Sequence, residues 1–250
     1  MAVLVVDIGN TRIKWARFDG KHLSGCRAAV HSTWGPGDYQ TKLFRSRPPL
    51  ARVVVSSVAG AKVNRALGAA ARRAGAAAEF VRVPRRGGGV TVGYLEPWRL
   101  GVDRYVAAVG AHQLFSGVPV CVVGVGTALT VDLIDSRGRH RGGVIIPAPA
   151  LMVDTLYSRT EGIRRRSSGG PRGRGRLFGR STRAGVVQGA RYAAAALVDR
   201  SVEEARALLG RKPLVVLTGG GAPAVRALVQ SASVGVADLV LRGLAVLSRP

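Results

Sequence analysis

The sequence is poor in cysteine, aromatic residues, asparagine and acid, and it has no long apolar run. Two cysteines, Cys26 and Cys121, in 250 residues exclude a disulfide-stapled scaffold. Both read as free thiols packed as small apolar groups. No apolar run reaches the roughly 18 residues of a spanning helix, so no membrane role is expected. His22, His31, His112 and His140 show no metal-ligand spacing. A Walker P-loop and a Rossmann GxGxxG are both missing. The first residues, MAVLVVDIGNTR, have no basic start and meet Asp7 early. A signal peptide is therefore not expected, and the expected location is the cytoplasm. Aromatics make up 5% of the chain; Trp15, Trp34 and Trp98 read as core or interface rather than as stacking surfaces. An apolar fraction of 47% excludes the disordered class and suffices for a substantial core.

The shortage of acid is the largest imbalance. Asp plus Glu number 14 against 38 Lys plus Arg, a net charge of +24. A basic face is the electrostatic footprint of nucleic-acid binding. Here, however, Arg outnumbers Lys 33 to 5, Ala and Gly abound, and the arginines are scattered except between Arg164 and Arg183. Aromatic residues do not interleave with them as a stacking platform requires. Compositional drift from a GC-rich codon supply is the reading adopted, with nucleic acid the less favoured partner.

Strand and helix signals alternate, which argues for an α/β fold. Apolar runs at Ala2–Ile8, Ile13–Phe18, 22–30, Arg52–Val58 and Glu79–Val83 read as strands, and Lys62–Ala74 and Leu100–Phe115 as helices. The second half repeats the plan: strands at Val118–Val123, Leu129–Ile134, Arg141–Ile146 and Leu214–Leu217. Helices follow at Ala184–Leu209, capped by Gly210, at Pro223–Val229 and at about 237–247. Val5–Thr11 can be laid over Val122–Thr127. Two similar lobes are expected, 1–115 and 116–250. The Arg- and Gly-rich segment from Thr160 to Arg180 has little to bury and reads as a mobile loop.

Three stretches carry chemistry. In Asp7-x-Gly9-Asn10-Thr11-x-x-Lys14, a carboxylate at a strand end can hold Mg²⁺ directly or through water. Gly9 lets the backbone approach a phosphate, and Asn10, Thr11 and Lys14 supply donors and positive charge. Thr218-Gly219-Gly220-Gly221 follows a strand and precedes a helix, a place for an anion or a flat ligand. With Gly126, these make three phosphate-type turns in two duplicated lobes. That is the plan of the sugar kinase, heat-shock ATPase and actin superfamily, a duplicated ribonuclease H-like fold. Gly101-Val102-Asp103-Arg104 opens a helix and offers a general base beside an anion-binding arginine; the plain alternative is a surface pair or a cap.

Together the blocks resemble the type III pantothenate kinases, the family that includes the Bvg accessory factor proteins. The resemblance runs through DIGNTRIKW at 7–15, SSVA at 56–59, YLEPWRLGVDR at 94–104, GTALTVD at 126–132, GGVIIP at 142–147, FGRSTRAG at 178–185 and LTGGGA at 217–222. It implies ATP-dependent phosphorylation of pantothenate to 4'-phosphopantothenate, the first step of coenzyme A biosynthesis. By resemblance, Asp7, Ile8, Gly9, Asn10, Thr11, Arg12, Ile13, Lys14, Thr127, Gly219 and Gly220 bind ATP, and Asp7 is the candidate Mg²⁺ ligand. Tyr94, Gly101, Val102, Asp103, Arg104 and Thr182 hold pantothenate, with Asp103 the proton acceptor and Thr182 reaching across a homodimer interface. The family also uses a monovalent cation, potassium or ammonium. Its second phosphate motif reads Asp-x-Gly-Thr, but here Gly124 stands at the aspartate, so the cation loses a charged ligand. Its Pro-Gly turn is here Pro147-Ala148-Pro149, which must be redrawn. Gly124 and the charge motivate a second reading. In it, the chain keeps the fold with weakened or lost kinase activity and acts as a regulatory or nucleic-acid- or ligand-binding protein.

Overall fold

The computed structural model describes residues 2–45, 50–168 and 176–249. They group into two compact units. The first runs to Ser116 and also takes Gly138–His140 and the chain from Asp238 on; the second holds Gly117–Arg137 and Arg141–Ala237. A single cut near residue 115 therefore misassigns the last helix, which returns to the first unit.

In the first unit, β1 (Val3–Ile8), β2 (Arg12–Phe18), β3 (Leu23–Val30), β4 (Arg52–Ser57) and β5 (Ala77–Phe80) form one sheet in the order β3-β2-β1-β4-β5. β1 pairs antiparallel with β2 and parallel with β4. β1 is apolar at nearly every position because it is the middle strand and is covered on both faces. Its alternate residues divide between two cores. Val3 and Val5 join Val54, helix α3 (Val102–Leu114) and the last helix, α8 (Leu239–Leu247). Leu4, Val6 and Ile8 join Tyr39 and Leu43 of α1 (Pro36–Leu43), with Leu67, Ala70 and Ala71 of α2 (Ala61–Arg73). Burying each such Val, Leu or Ile contributes about 1.5–3 kcal/mol. Helices α3 and α8 approach until their backbones almost touch. A Cβ on Gly243 would lie 1.9 Å from the Val106 carbonyl oxygen, and one on Gly110 2.5 Å from that of Leu239. Two short strands, β6 (Arg86–Gly87) and β7 (Val90–Thr91), form a small hairpin before α3.

The second unit repeats the sheet with β8 (Val120–Val125), β9 (Ala128–Ile134), β10 (His140–Pro147), β11 (Leu214–Thr218) and β12 (Ser233–Gly235), in the order β10-β9-β8-β11-β12. One face carries Cys121, Val123 and Val125 against Ala194, Val198, Val202 and Ala205 of the long helix α6 (Thr182–Leu209). Ser181, not read as a cap from sequence, caps α6 by accepting the Ala184 amide at 3.1 Å, and Gly210 ends it at φ 71° as expected. Helix α7 (Ala222–Arg226) follows β11.

Several expectations need correction. Helix α4 (Pro149–Arg159) fills a stretch without a sequence assignment. Within the expected mobile loop, Glu161–Ser167 form helix α5; residues 169–175 lie outside the described residues. At Pro147-Ala148-Pro149 the turn is indeed redrawn. Ala148 is extended, at φ −68° and ψ 160°, and Pro149 opens α4, because a residue before proline avoids the helical region and proline suits the first helical position. Cys26 is exposed rather than packed, while Cys121 is buried, and neither is in a disulfide. Trp98 is 67% exposed, with the Arg99 guanidinium 4.5 Å from its ring centroid.

Candidate functional site

In the first unit, Asp7 stands at the carboxyl end of β1, just before the Gly9–Arg12 turn. Lys14 faces it across the β1–β2 ladder, and Ser56 faces it across the β1–β4 ladder. Opposed residues share a sheet face, so all three lie on the face of Val5 and Val54, which α3 covers. Asp103 is in the first turn of α3. Burial pushes the Asp7 carboxyl up to about 7; the negative charge of Asp103 adds to the rise, while Lys14 and the Ser56 hydroxyl oppose it. The Ser56 hydroxyl is wholly buried beside Asp7 without a hydrogen bond of good geometry. Two carboxylates thus share one neighbourhood with one ammonium, a donor set that a divalent cation and phosphate would complete.

The turn itself is tight: the Gly9 amide donates to the Arg12 carbonyl at 2.9 Å. Asn10, Thr11 and Arg12 are exposed. Ile8 and Ile13 are fully buried, so they can offer a ligand only backbone. Val102 begins α3 and packs on the core. Gly101 precedes it and accepts the Tyr105 amide at 3.0 Å. Asp103 accepts the Arg104 amide at 2.9 Å. Arg104 is buried; it donates to the Tyr94 hydroxyl at 3.2 Å and lies 5.8 Å from that ring's centroid. Tyr94 also packs on the His140 ring at 5.5 Å. An exposed Arg85 guanidinium holds the segment by donating to the Tyr94 and Leu95 carbonyls, at 2.7 Å each.

In the second unit, the Gly126–Thr127 turn and the Gly219–Gly221 turn follow neighbouring parallel strands, β8 and β11. The carboxyl ends of such strands are where open α/β sheets bind ligands. Gly126 and Thr127 are exposed, and Gly220 is exposed beside them in the second turn. The Gly221 amide donates to the Val125 carbonyl at 3.1 Å. Gly219 has φ +98°, and a Cβ there would sit 2.4 Å from the Val125 oxygen, so only glycine fits. Gly124 pairs with Thr130, and a Cβ on Gly124 would lie 2.9 Å from the Thr130 hydroxyl. No side-chain oxygen is offered from position 124 itself. Thr182 is the first residue of α6.

The structure thus gathers Asp7, Lys14, Asp103, Tyr94 and Arg104 in the first unit, and Thr127, Gly219 and Gly220 in the second. Sequence reasoning gave no role to Ser56 or His31. Ser56 lies in a block that carries the family resemblance, but only strand pairing places it opposite Asp7. His31 is buried, and its Nε2 is 2.8 Å from the Gly9 carbonyl oxygen. No group of three or more His, Cys, Asp or Glu that could hold a metal occurs among the described residues.

Two five-stranded sheets of one strand order, each with turns of phosphate-binding type at its strand ends, define the sugar kinase, heat-shock ATPase and actin class. Solved structures agree on the fold. A conserved Baf family protein from Campylobacter jejuni aligns over 96% of this chain and 94% of its own, with TM-score 0.59 and 17% identity. A ROK family glucokinase from Streptomyces griseus, in complex with glucose and AMPPNP, aligns over 98% of each chain, with TM-score 0.52 and 13% identity. The family model for type III pantothenate kinase matches residues 3–204. A type III pantothenate kinase from Nitrosococcus oceani is 34% identical over 248 residues, covering 97% of this chain and 92% of the relative. The chain belongs to the type III pantothenate kinase family.

Proposed function

We propose that this protein transfers the γ-phosphoryl group of ATP to the primary hydroxyl of pantothenate, giving 4'-phosphopantothenate and ADP at the entry to coenzyme A biosynthesis. The observation that carries this reading is the pairing of Asp7 with Asp103 beside Lys14. Asp103 takes the hydroxyl proton as its oxygen attacks the γ-phosphorus and the bond to the bridging oxygen of ADP breaks. Arg104, braced by Tyr94, holds the pantothenate carboxylate. Lys14 and the amides of the Gly9–Arg12 turn bind the phosphates. By the family resemblance, Thr127, Gly219 and Gly220 are further ATP contacts. A Mg²⁺ ion, held by Asp7 with phosphate oxygens and water, would offset charge on the transferring group. Position 124 does not fit the charged ligand that a potassium or ammonium ion takes in the family.

A homodimer completes the site through Thr182. Support comes from the second unit, where no residue of α4 is fully buried and Leu151 and Leu156 are exposed. Ile145 of β10 and Phe178 are exposed as well, Phe178 to 87%. A second copy of the chain would cover such a surface. Among the described residues, no helix is long and apolar enough to cross a membrane; the ATP supply places the reaction in the cytoplasm.

ADP release measured with and without pantothenate, in sodium and then in potassium or ammonium, tests the reading. Pantothenate-dependent release is expected, with phosphopantothenate formed in equal amount. ATP binding with no pantothenate-dependent turnover under any cation would favour the regulatory binding protein instead. Sedimentation is expected to show a dimer; an active monomer would remove Thr182 from its partner's site.

A further inference from the structure

The Gly9–Arg12 turn is held from below by a buried histidine. His31 follows β3 and is 4% exposed. Its backbone amide donates to the Thr11 carbonyl at 3.2 Å, and its side-chain Nε2 lies 2.8 Å from the Gly9 carbonyl oxygen. A carbonyl can only accept, so Nε2 carries the proton and donates. The opposite ring nitrogen, Nδ1, is 3.4 Å from the Tyr39 hydroxyl, which donates to it. The ring is walled by Trp34, edge-on at 6.5 Å; Trp34 in turn meets Trp15 at 6.2 Å and Tyr39 at 5.2 Å. The tautomer and the orientation are therefore both set by packed neighbours.

The consequence follows from peptide geometry. In a planar trans peptide the carbonyl and the next amide point in opposite directions. Fixing the Gly9 carbonyl on His31 turns the Asn10 N–H away from the aromatic wall, at an exposed position in the turn. Without that tie, the Gly9–Asn10 peptide could flip and present a carbonyl, which repels phosphate. We propose that His31 is a positioning residue for ATP: it holds the Gly9–Asn10 peptide in the orientation that presents the Asn10 amide to a nucleotide phosphate. This inference rests on the kinase reading and adds to it a residue that touches neither substrate.

The test compares His31→Phe, which keeps a ring but loses the donor, with His31→Gln, whose amide can donate to the same carbonyl. Steady-state KM is measured for ATP and for pantothenate, and binding of a non-hydrolysable ATP analogue by calorimetry. The Phe variant should raise the KM for ATP and the analogue Kd about tenfold, the loss of one well-placed hydrogen bond. The KM for pantothenate should stay within about twofold. The Gln variant should recover most of the affinity. Should Phe unfold the chain, His31→Met and His31→Gln, unbranched and of similar size, repeat the comparison without and with a donor. An unchanged KM for ATP, an equal rise in both KM values, or failure of Gln to recover where the variant folds would overturn the proposal. Failure of the kinase reading looks different: the wild type would show no pantothenate-dependent turnover, while analogue binding would still report on His31.

Discussion

The two units share a backbone plan but differ in the chemistry placed on it. β1 and β8 occupy the same place in sheets of the same order. At the position where Asp7 faces Lys14 and Ser56, Gly124 faces Thr130 and Thr218. The first unit thus carries a carboxylate, an ammonium and a hydroxyl at its strand ends, and the second carries a glycine and two hydroxyls. A duplicated frame lets one copy hold charge while the other offers close backbone approach, as at Gly219. Charged side chains thus gather at the strand ends of the first unit, and close backbone approach marks those of the second.

That division predicts graded losses. Asp103→Asn should lower kcat by roughly a thousandfold, the middle of the range for a general base, with ATP affinity measured by calorimetry nearly intact. Near-wild-type turnover would make Asp103 a helix cap.

Asp7→Asn should cost about a hundredfold in kcat/KM, as loss of one preorganised charge does, and it should also change the pH dependence of stability. With nucleotide and metal absent, Asp7 keeps its proton in the folded state up to about 7, against 3.8 as the ordinary value. Between these values the folded state binds the extra proton, so this group's contribution makes stability fall as pH rises through that window. The variant should lack that slope in Tm against pH, and at pH 8 it should melt at or above the wild type.

Gly219→Ala should act through shape. Its Cβ meets the Val125 oxygen at 2.4 Å and its φ is +98°, so a loss of about 2–4 kcal/mol is expected. Thermal melts and the KM for ATP check this, and the KM for ATP should rise more than that for pantothenate.

The smallest effect belongs to Gly124→Asp, which makes the two units alike. The new side chain requires the Thr130 hydroxyl, 2.9 Å from its Cβ, to rotate aside. Turnover against potassium at fixed ionic strength should then show a severalfold gain in cation response over the wild type. Fixed ionic strength matters because the net charge of +24 makes any uncontrolled salt titration respond to screening.

Much of this comparison was legible in sequence, because buried central strands and long amphipathic helices announce themselves by period. β1, β2, α3 and α6 fall within two residues of their expected limits at each end. Parallel pairing accounts for the shift of β5. Ala77 and Ala78 pair with Arg52 and Val53, a long-range choice that starts the strand two residues, and ends it three residues, ahead of the expected limits. Helix α1 lies in a polar Pro-Gly stretch, and α4 has no fully buried residue, so neither shows a clear core face in sequence. The motif positions in the site were legible through Asp7, Asp103 and the glycine turns. Their support was not: Ser56 reaches Asp7 only through strand register, and His31 reaches Gly9 across 22 residues of chain.

The return of α8 to the first unit bears on the order in which the protein can be made. Leu241 and Leu244 complete the core that seats α3, and Gly243 lets the two helices close to backbone contact. A ribosome delivers Asp7 and Asp103 long before these residues, so the nascent first unit waits with its α3 face uncovered while the second is synthesised. At about 5–20 residues per second, that interval lasts on the order of ten seconds. A chain stopped at residue 237 would hold every motif residue named above, yet its defect would fall in the first unit, at the far end of the sequence from the cut.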